Sequence, residues 1–421
     1  MASGSEIAQL SEPGEASLEV YLASPAHNDL RWLATSSRSG FERPLLWNPR
    51  TGERVDLPLD QIAGDIIPMD SSPDATRLLL RQNLGATQNL YEYDMSAGNV
   101  RHIAHPGGAM GSTEPRTIWY GAGGNIYMRW ESSAHPPCTL RLDVSAGHAT
   151  AADWQVVVAG ATVPPGHAWR SVEFTSSDGV RVQAWLGVPE GDGPFPAIVE
   201  MHGGPEFAVT DVFSPISQGW LDHGFAYLTV NYRGSAGFGS AFQEKIRGNL
   251  GHWEVEDIVA ARNWLVAQGI AEPRSIVLTG WSYGGYLTLM ALGKRPDLWA
   301  GGMAGIALAD LAMNDADGSI IAEYFRSLMG GSPVEFPERY AASSPITYVE
   351  RLAAPVLILQ GRNDTRCTPR QIEAYAERAH SAGKHVEVHW FDSGHSSIGT
   401  EERIQQQELM LRFVYKTLGL L

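Results

Sequence analysis

Short apolar runs alternate with longer amphipathic stretches along the second half of the chain. Four runs are rich in Val, Ile and Leu, which is typical of buried parallel strands; they are PAIVEMH (196–202), FAYLTVN (225–231), SIVLTG (275–280) and PVLILQG (355–361). Four other segments predict helices: HWEVEDIVAARNWLVAQG, GGYLTLMALGKRP, PRQIEAYAERAHSAGK and EERIQQQELMLRFVYKTLG. RSVEFTSSDGVRVQAWLGVPE, at the start of this region, predicts a hairpin. The alternation predicts an α/β domain with a doubly wound, mostly parallel sheet over residues 166–421.

Residues 1–165 show a different pattern, one of short strands and turns. A phrase recurs as LLWNPRTGE, LYEYDMSAGN and LRLDVSAGH, and its glycines, Gly52, Gly98 and Gly147, are 46 and 49 residues apart. A period of about 45 residues with several strands per repeat is typical of propeller blades, although a β-sandwich with similar hairpins fits the same pattern. A fourth unit could combine ASLEVYLAS near the N-terminus with DWQVVVAG at 153–160. The sequence thus predicts an all-β domain that is a partial or small propeller.

The small number of repeats has a consequence for the strand edges. Propellers usually close with about four to eight blades, and three clear units are too few for a ring. The open edges must then be covered by the other domain or by a second subunit. A homo-oligomer is therefore one expectation for this chain.

Composition and charge exclude several classes of partner. The 421 residues include 31 Lys and Arg against 47 Asp and Glu, a net charge of −16, which disfavours nucleic acid and anionic membrane as partners. The two cysteines, Cys138 and Cys367, form neither a disulfide framework nor a zinc pattern. The first residues lack the basic and apolar regions of a secretion signal, and no run of 18 apolar residues occurs. These features predict a soluble, cytoplasmic protein.

The segment GWSYGGY (280–286) places Ser282 between glycines in the pattern Gly-x-Ser-x-Gly. The pattern alone is weak, but here it follows the predicted strand SIVLTG and precedes the predicted helix GYLTLMALGK. A nucleophilic serine on a sharp strand-to-helix turn requires this context, because glycines must replace side chains where the backbone and the helix approach closely. We interpret Ser282 as a nucleophile rather than as part of an ordinary glycine-rich loop.

A serine hydroxyl needs a base and an orienting acid to become reactive. In folds of this class they follow in the order Ser, acid, His, each in a loop after a strand. PVLILQGRNDTR places Asp364 after a buried strand, and HVEVHWFDSGHSS places His395 after the last strand. Three competing residues are less well placed. His385 lies at the start of that last strand and His389 lies within it, whereas Asp392 is too near His395 to come from the end of a separate strand.

An oxyanion hole needs backbone N–H donors beside the nucleophile. The N–H of Tyr283 is one expected donor, and the glycine-rich loop MHGGPEF supplies the other, with Gly204 preferred over Gly203. No metal-binding pattern such as His-Glu-x-x-His occurs, and GSAGFG (234–239) has the wrong spacing for a dinucleotide loop. We expect neither a metal nor a cofactor.

Taken together, these segments resemble the prolyl oligopeptidase family of serine peptidases, and most of all its acylaminoacyl-peptidase and dipeptidyl-peptidase branches. The matching segments occur in the family's order and cover most of residues 170–421. They are HGGPE, VNYRGSAGFGSAF, GHWEVEDIVAARNWL, GWSYGGYLTLMAL, SPITYVERLAAPVLILQGRNDTR and GHSS. It implies a β-propeller paired with an α/β-hydrolase domain. It also implies a Ser282, Asp364 and His395 triad with Gly204 and Tyr283 at the oxyanion hole.

The resemblance implies a substrate pocket as well, formed by NYRGS and by the loop IALADLAMNDADGSIIAEYF after the strand that follows the serine turn. The residues that it nominates are Tyr232, Arg233, Trp281 and Leu311. The chain departs from the family in its N-terminal domain, which has about half the usual propeller length. Cys367 also stands where the family commonly has an aliphatic residue, and we interpret it as a small buried hydrophobe.

The leading hypothesis is a serine peptidase that cleaves short peptides or acylated amino acids through an acyl-enzyme on Ser282. The shortened N-terminal domain motivates a second hypothesis, in which the same triad serves an esterase, a thioesterase or an acyl-transferring or cyclising biosynthetic enzyme. A third is a non-catalytic binding protein on the same fold.

Overall fold

The computed structural model describes residues 8–12, 18–23, 30–111, 117–143, 150–160, 164–396 and 399–420. These residues divide into two compact units. The first contains the described residues up to Ala168 together with Thr210–Phe213 and Ala236–Ala241, and the second contains the remainder. The division at Ala168 lies near the predicted boundary after residue 165, but the two later segments that join the first unit were not expected from the sequence.

The first unit contains, in its described residues, three four-stranded antiparallel sheets. In each sheet the strands follow one another in chain order, which is the arrangement of a propeller blade. The strands are β1 (Leu18–Ala23), β2 (Trp32–Ser36), β3 (Arg43–Trp47) and β4 (Arg54–Asp56) in the first sheet, β5 (Asp65–Ser71), β6 (Arg77–Leu84), β7 (Thr87–Asp94) and β8 (Val100–Ile103) in the second, and β9 (Ile118–Tyr120), β10 (Ile126–Ser132), β11 (His135–Leu142) and β12 (Gln155–Ala159) in the third.

The recurring phrase of the sequence forms the turn between the third and fourth strands of a blade. Gly52 and Gly98 have φ of 74° and 69°, the left-handed region that glycine adopts without a steric cost. The N–H of Gly52 donates to the carbonyl of Asn48, and that of Gly98 donates to the carbonyl of Asp94. The third copy of the glycine, Gly147, lies outside the described residues.

In the described residues, the two segments suggested for a fourth unit do not pair with each other. β1 pairs with β2 in the first sheet, and β12 pairs with β11 in the third. β1 therefore completes the four strands of the first blade, and β12 completes those of the third. The sequence could not reveal this, because a short alternating strand carries no mark of the sheet in which it pairs.

Apolar side chains on both faces of the second blade hold the first unit together. One cluster joins the second blade to the first through Leu33, Leu46, Leu57, Leu59, Ile62, Ile66, Leu78, Leu80 and Tyr93. Another joins it to the third through Ile67, Met69, Leu79, Leu90, Ile103, Met110, Ile118, Tyr120, Ile126, Met128, Leu140, Leu142 and Trp154. In β6 the consecutive residues Leu78, Leu79 and Leu80 alternate between the two clusters, as side chains on a strand must.

The second unit is built on an eight-stranded sheet. Its order is β13-β14-β16-β15-β17-β18-β19-β20; β13 and β14 form the predicted hairpin, and β14 is antiparallel to both of its neighbours. The other pairings are parallel. The strands are β13 (Arg170–Thr175), β14 (Arg181–Gly187), β15 (Phe195–Met201), β16 (Ala226–Asn231), β17 (Ala271–Trp281), β18 (Gly301–Gly305), β19 (Val356–Gly361) and β20 (Val386–Phe391). The predicted fold class is confirmed.

The helices of the second unit include the four that the sequence predicts and five shorter ones that it does not. The predicted ones are α3 (Trp253–Ala267), α4 (Tyr283–Lys294), α8 (Pro369–Ser381) and α9 (Thr400–Leu418). The others are α1 (Pro215–Asp222), α2 (Ser240–Gln243), α5 (Leu311–Ala316), α6 (Ala322–Met329) and α7 (Pro337–Ala342). Part of α2 belongs to the first unit.

The small residues of β18 show that helices cover both faces of the sheet. A Cβ on Gly301 would lie 3.1 Å from Thr417 of α9, and a Cβ on Gly302 would lie 2.5 Å from Leu292 of α4. Because consecutive residues of a strand point to opposite faces, α4 and α9 lie on opposite sides of the sheet. This arrangement is the doubly wound one, and it leaves the carboxyl ends of β15, β17, β19 and β20 at one edge.

Candidate active site

Ser282 occupies a strained turn between the end of β17 and the first residue of α4. Its φ of 58° and ψ of −118° lie outside the regions that non-glycine residues ordinarily adopt. The N–H of Ser282 donates to the carbonyl of Gly305 at 2.8 Å, and its own carbonyl accepts from the N–H of Tyr286 at 2.9 Å. The turn is therefore fixed on one side by β18 and on the other by the first turn of α4.

The glycines around Ser282 are required by the close approach of neighbouring backbone. A Cβ on Gly280 would lie 2.4 Å from the backbone of Gly284, and one on Gly284 would lie 1.9 Å from the carbonyl oxygen of Met201. A Cβ on Gly285 would lie 2.6 Å from the carbonyl oxygen of Gly305. Any side chain at these positions would push α4 away from β15 and β18, so the Gly-x-Ser-x-Gly pattern is a packing requirement of this turn.

The structure brings Ser282, His395 and Asp364 into one hydrogen-bonded chain. The Nε2 atom of His395 lies 2.9 Å from the Oγ atom of Ser282. The Nδ1 atom of the same ring lies 2.8 Å and 3.0 Å from the two carboxylate oxygens of Asp364. In this arrangement Nδ1 carries a proton that it donates to the carboxylate, which leaves Nε2 free to accept the proton of the serine hydroxyl.

The carboxylate of Asp364 is itself held by the loop between β19 and α8. Its side chain is inaccessible to solvent, and its Oδ1 atom accepts from the N–H groups of Arg366 at 2.8 Å and Cys367 at 2.9 Å. The amide of Gln360 approaches Oδ2 at 3.4 Å. Hydrogen bonds of this kind hold a buried carboxyl group in one orientation.

The residues considered as alternatives to Asp364 and His395 have other surroundings. Asp392 is almost fully exposed and pairs with Arg362 at 3.6 Å. His389 is exposed within β20, and His385 lies 3.6 Å from the carboxylate of Glu387. The loop after β20 therefore directs His395, and not its neighbours, towards Ser282.

The loop after β15 packs directly against the serine turn. A Cβ on Gly203 would lie 3.3 Å from the carbonyl oxygen of Trp281 and 3.7 Å from the Cβ of Ser282. Gly204 follows with φ of 126°, which a residue with a side chain rarely adopts. The two glycines thus lie beside Ser282 at the start of α4, where the N–H of Tyr283 also lies.

His202, which was not predicted from the sequence, is hydrogen-bonded to this loop. Its Nδ1 atom lies 2.7 Å from the carbonyl of Gly203, and its Nε2 atom lies 2.9 Å from the hydroxyl of Ser235. The ring stacks on Tyr232 at 4.3 Å between centroids. Burial lowers the pKa of His202 to about 4, so the ring is neutral at ordinary pH and Nδ1 is the donor to the carbonyl.

Glu254 is a second residue that the sequence did not single out. It is buried in α3, and its Oε1 atom accepts from the hydroxyl of Tyr283 at 2.7 Å and from the N–H of Gly251 at 3.0 Å. Burial raises the pKa of Glu254 to about 7. Tyr283, the residue after Ser282, is therefore hydrogen-bonded to a carboxyl group whose charge changes near neutral pH.

Three of the four residues nominated for the substrate pocket are buried, namely Tyr232, Arg233 and Leu311. The hydroxyl of Tyr232 donates to the carbonyl of His202 at 2.7 Å, and the N–H of Leu311 donates to the hydroxyl of Ser344 at 3.0 Å. The guanidinium of Arg233 bonds to Asp257, Asp178 and Ser176 and lies 4.3 Å from the centre of the Trp253 ring. Polar groups of these three residues therefore form hydrogen bonds with other parts of the protein. Trp281, whose ring lies against Gly305, is the nominated residue that stays partly exposed.

Cys367, interpreted from the sequence as a small buried hydrophobe, lies close to Ser282, Asp364 and His395. It is fully buried, and its thiol lies beside the side chain of Ser282. Sequence spacing alone gave no signal for this contact, because it depends on the fold of the loop between β19 and α8. For His202 a signal did exist, since it immediately precedes the two glycines of the predicted oxyanion loop.

The mostly parallel sheet, the strained serine turn at the end of its fifth strand and the order Ser, Asp, His define an α/β-hydrolase domain. Residues 212–420 match the sequence profile of the prolyl oligopeptidase family. The chain therefore carries a domain of the prolyl oligopeptidase family over these residues.

Individual relatives agree with this assignment. The chain is 29% identical over 279 residues to dipeptidyl peptidase family member 6 of Caenorhabditis elegans, over 59% of this chain and 37% of that protein. It is 25% identical over 321 residues to the acylamino-acid-releasing enzyme of Homo sapiens, over 71% of this chain and 43% of that protein. Its fold is similar to that of puromycin hydrolase, with a TM-score of 0.81 and 24% identity over 96% of this chain and 62% of that one.

The chain is shorter than these proteins, and its matches span less than half the length of both curated relatives. No helix among the described residues is long and apolar enough to cross a membrane.

Proposed function

We propose that the chain is a serine hydrolase, and specifically a peptidase that cleaves short peptides or acylated amino acids through an acyl-enzyme on Ser282. The observation that carries the proposal is the 2.9 Å contact between Nε2 of His395 and Oγ of Ser282, with Asp364 behind the imidazole at 2.8 Å. Membership of a peptidase family supports the choice of peptides as substrates.

The proposed reaction uses each group in turn. Oγ of Ser282 attacks the scissile carbonyl while Nε2 of His395 takes its proton, and the buried carboxylate of Asp364 stabilises the resulting imidazolium. The N–H groups of Tyr283 and of Gly204, or of Gly203 in its place, donate to the oxyanion. His395 then protonates the leaving amine, and water attacks the acyl-enzyme by the reverse sequence of proton transfers. We propose that Trp281 borders the pocket for the acyl part of the substrate.

A fluorophosphonate probe followed by a substrate panel tests the proposal. The probe is expected to label the wild-type protein and the Ser275→Ala variant, whose hydroxyl lies on β17 away from the turn, but not Ser282→Ala. The panel pairs acylaminoacyl and dipeptidyl amides with the matching esters. Labelling without turnover of any amide would overturn the peptidase assignment in favour of an esterase or acyl transferase, and absence of labelling would overturn hydrolase chemistry altogether.

We also propose that the chain works without nucleic acid, in the cytoplasm, and as a homo-oligomer. The net charge of −16 supports the first point, and the free thiols of Cys138 and Cys367 fit a reducing compartment. The edge strand β12 supports the third, because Val156, Val157 and Val158 on it are 61%, 42% and 62% exposed. An exposed apolar edge is a template for pairing with a second copy.

A further inference from the structure

The thiol of Cys367 lies among the groups of the proposed triad. One candidate ligand atom each from Asp364, Cys367 and His395 lie within 4.8 Å of one another. The thiol of Cys367 also lies beside the side chain of Ser282. The three groups are thus close enough for one small ion to contact them all, although the sequence separates His395 from Asp364 by 31 residues.

These side chains supply the donor types that zinc prefers. Zn²⁺ binds thiolate, imidazole and carboxylate in tetrahedral geometry with bonds of about 2.0–2.3 Å, so its ligand atoms are about 3.5 Å apart. Nδ1 of His395 already lies 2.8 Å from the carboxylate of Asp364, so small side-chain rotations are needed to bring all three groups to tetrahedral separations. Three protein ligands leave the fourth position to the Ser282 hydroxyl or to a water molecule.

We propose that Asp364, Cys367 and His395 form an inhibitory site for a thiophilic divalent cation, with Zn²⁺ as the physiological candidate. On binding, the sulfur of Cys367 releases its proton to solvent and donates a lone pair to the metal, and no group is oxidised or reduced. The neutral imidazole of His395 binds the metal through one ring nitrogen and carries its single proton on the other, so neither nitrogen can accept the proton of Ser282. The switching effect rests on the proposed function, whereas binding itself rests on the geometry alone.

The protein without metal keeps this thiol protonated. Burial and the charge of Asp364 raise the pKa of Cys367 well above its usual range, so the side chain packs as a small neutral group. The charge of a bound cation removes the proton, as it does for other coordinating thiols. Metal binding is therefore reversible by a chelator and distinct from oxidation of an exposed thiol.

Direct binding is measured with Cd²⁺, whose bond to a thiolate gives an ultraviolet charge-transfer absorption. The wild-type protein and Cys138→Val, which removes the other cysteine, are expected to show the band at one equivalent of Cd²⁺. Cys367→Val, which preserves the approximate volume, and Cys367→Ser, which keeps the size but not the soft ligand, are expected to lack it. A band that persists in either folded Cys367 variant would overturn the proposal.

Inhibition is measured as hydrolysis of an activated ester at buffered concentrations of free Zn²⁺. Because the thiolate is the soft ligand, Cys367→Val and Cys367→Ser are expected to need roughly 100-fold more Zn²⁺ for half-inhibition than the wild type and Cys138→Val. Mg²⁺ is expected to have no effect on any of the four proteins. Equal inhibition of all four would overturn the site while leaving the hydrolase intact. A Cys367-dependent Cd²⁺ band in a protein that hydrolyses nothing would uphold the site and overturn the proposed function.

Discussion

The imidazole of His395 lies 2.9 Å from the hydroxyl of Ser282, although 113 residues separate them in the chain. Two loops at the same edge of one sheet create this contact, one after β17 and one after β20. The carboxylate behind the ring comes from a third loop, after β19. Each group is positioned by backbone of its own, so single substitutions can remove one function at a time.

Asp364→Asn is expected to lower kcat by about 10⁴-fold, because an amide cannot stabilise the imidazolium and favours the wrong tautomer of His395. The matched control is Asp392→Asn, three residues from His395 but almost fully exposed. It is expected to change kcat by no more than about twofold, since exposed ion pairs contribute little. Steady-state hydrolysis of an amide and its ester by both variants provides the measurement. Equal losses in the two variants would show that Asp364 is not the orienting acid.

Gly284→Ala is expected to destabilise the protein by more than about 3 kcal/mol, because the new Cβ would lie 1.9 Å from the backbone oxygen of Met201. The control is Gly399→Ala, at a position with φ of −91° and no atom within 4 Å of the added carbon. Urea unfolding followed by tryptophan fluorescence compares the two with the wild type. If Gly284→Ala unfolded at the wild-type midpoint, the close contact between α4 and β15 would be wrong.

We expect His202 to act as a positioning residue for the loop that contains Gly203 and Gly204. His202→Phe keeps a ring to stack on Tyr232 but loses the bond to the carbonyl of Gly203, so we expect kcat to fall by about 10–100-fold with little change in KM. His202→Asn retains an N–H donor near the position of Nδ1 and is expected to recover part of kcat. Because the pKa of His202 is lowered to about 4, its ionisation should not contribute to the pH profile above about pH 5. Equal changes in kcat in both variants would indicate a role in folding only.

The main features of the site could be predicted because each proposed group follows a buried strand, and the carboxyl ends of parallel strands meet at one edge. Ser282, Asp364 and His395 were predicted in this way, and their side chains form one hydrogen-bonded chain. β18 was not predicted, since GGMAG has no β-branched residue; its small side chains are explained only by the two helices that pack on it.

The contacts of Arg233 could not be predicted either, because its partners Asp178 and Asp257 are 55 and 24 residues away in the sequence. Contacts that depend on loop conformation, such as that of Cys367 with Ser282, leave no pattern in the sequence.

Val157→Lys is expected to dissociate the proposed homo-oligomer, because a charge on the edge strand β12 must be desolvated if a second copy pairs there. Val334→Lys is the control, since Val334 is 90% exposed but lies in the second unit away from any strand. Light scattering over a range of protein concentrations compares both variants with the wild type. A wild-type protein that stays monomeric would refute self-association, and an oligomer that survives Val157→Lys would place the interface elsewhere.

The buried carboxyl of Glu254 is expected to make stability depend on pH near neutrality. Its pKa is raised to about 7 in the folded protein from 4.5, so between these values the folded state binds more protons than the unfolded state. The free energy of unfolding therefore falls as pH rises through this window, by up to about 1.4 kcal/mol per pH unit for this one group. Glu254→Gln mimics the protonated acid and removes the effect, so its stability relative to the wild type should rise by about 3 kcal/mol between pH 5 and pH 8.

Urea unfolding of the wild type and Glu254→Gln at pH 5, 6, 7 and 8 measures this difference. Glu377→Gln, at an exposed position of α8, serves as the control and is expected to stay parallel to the wild type across the range. Because other groups titrate equally in all three proteins, only the difference between curves carries the contribution of Glu254. A constant difference between wild type and Glu254→Gln would mean that Glu254 is already ionised at pH 5. The hydroxyl of Tyr283, beside the nucleophile, would then donate to a carboxylate throughout the working range of the site.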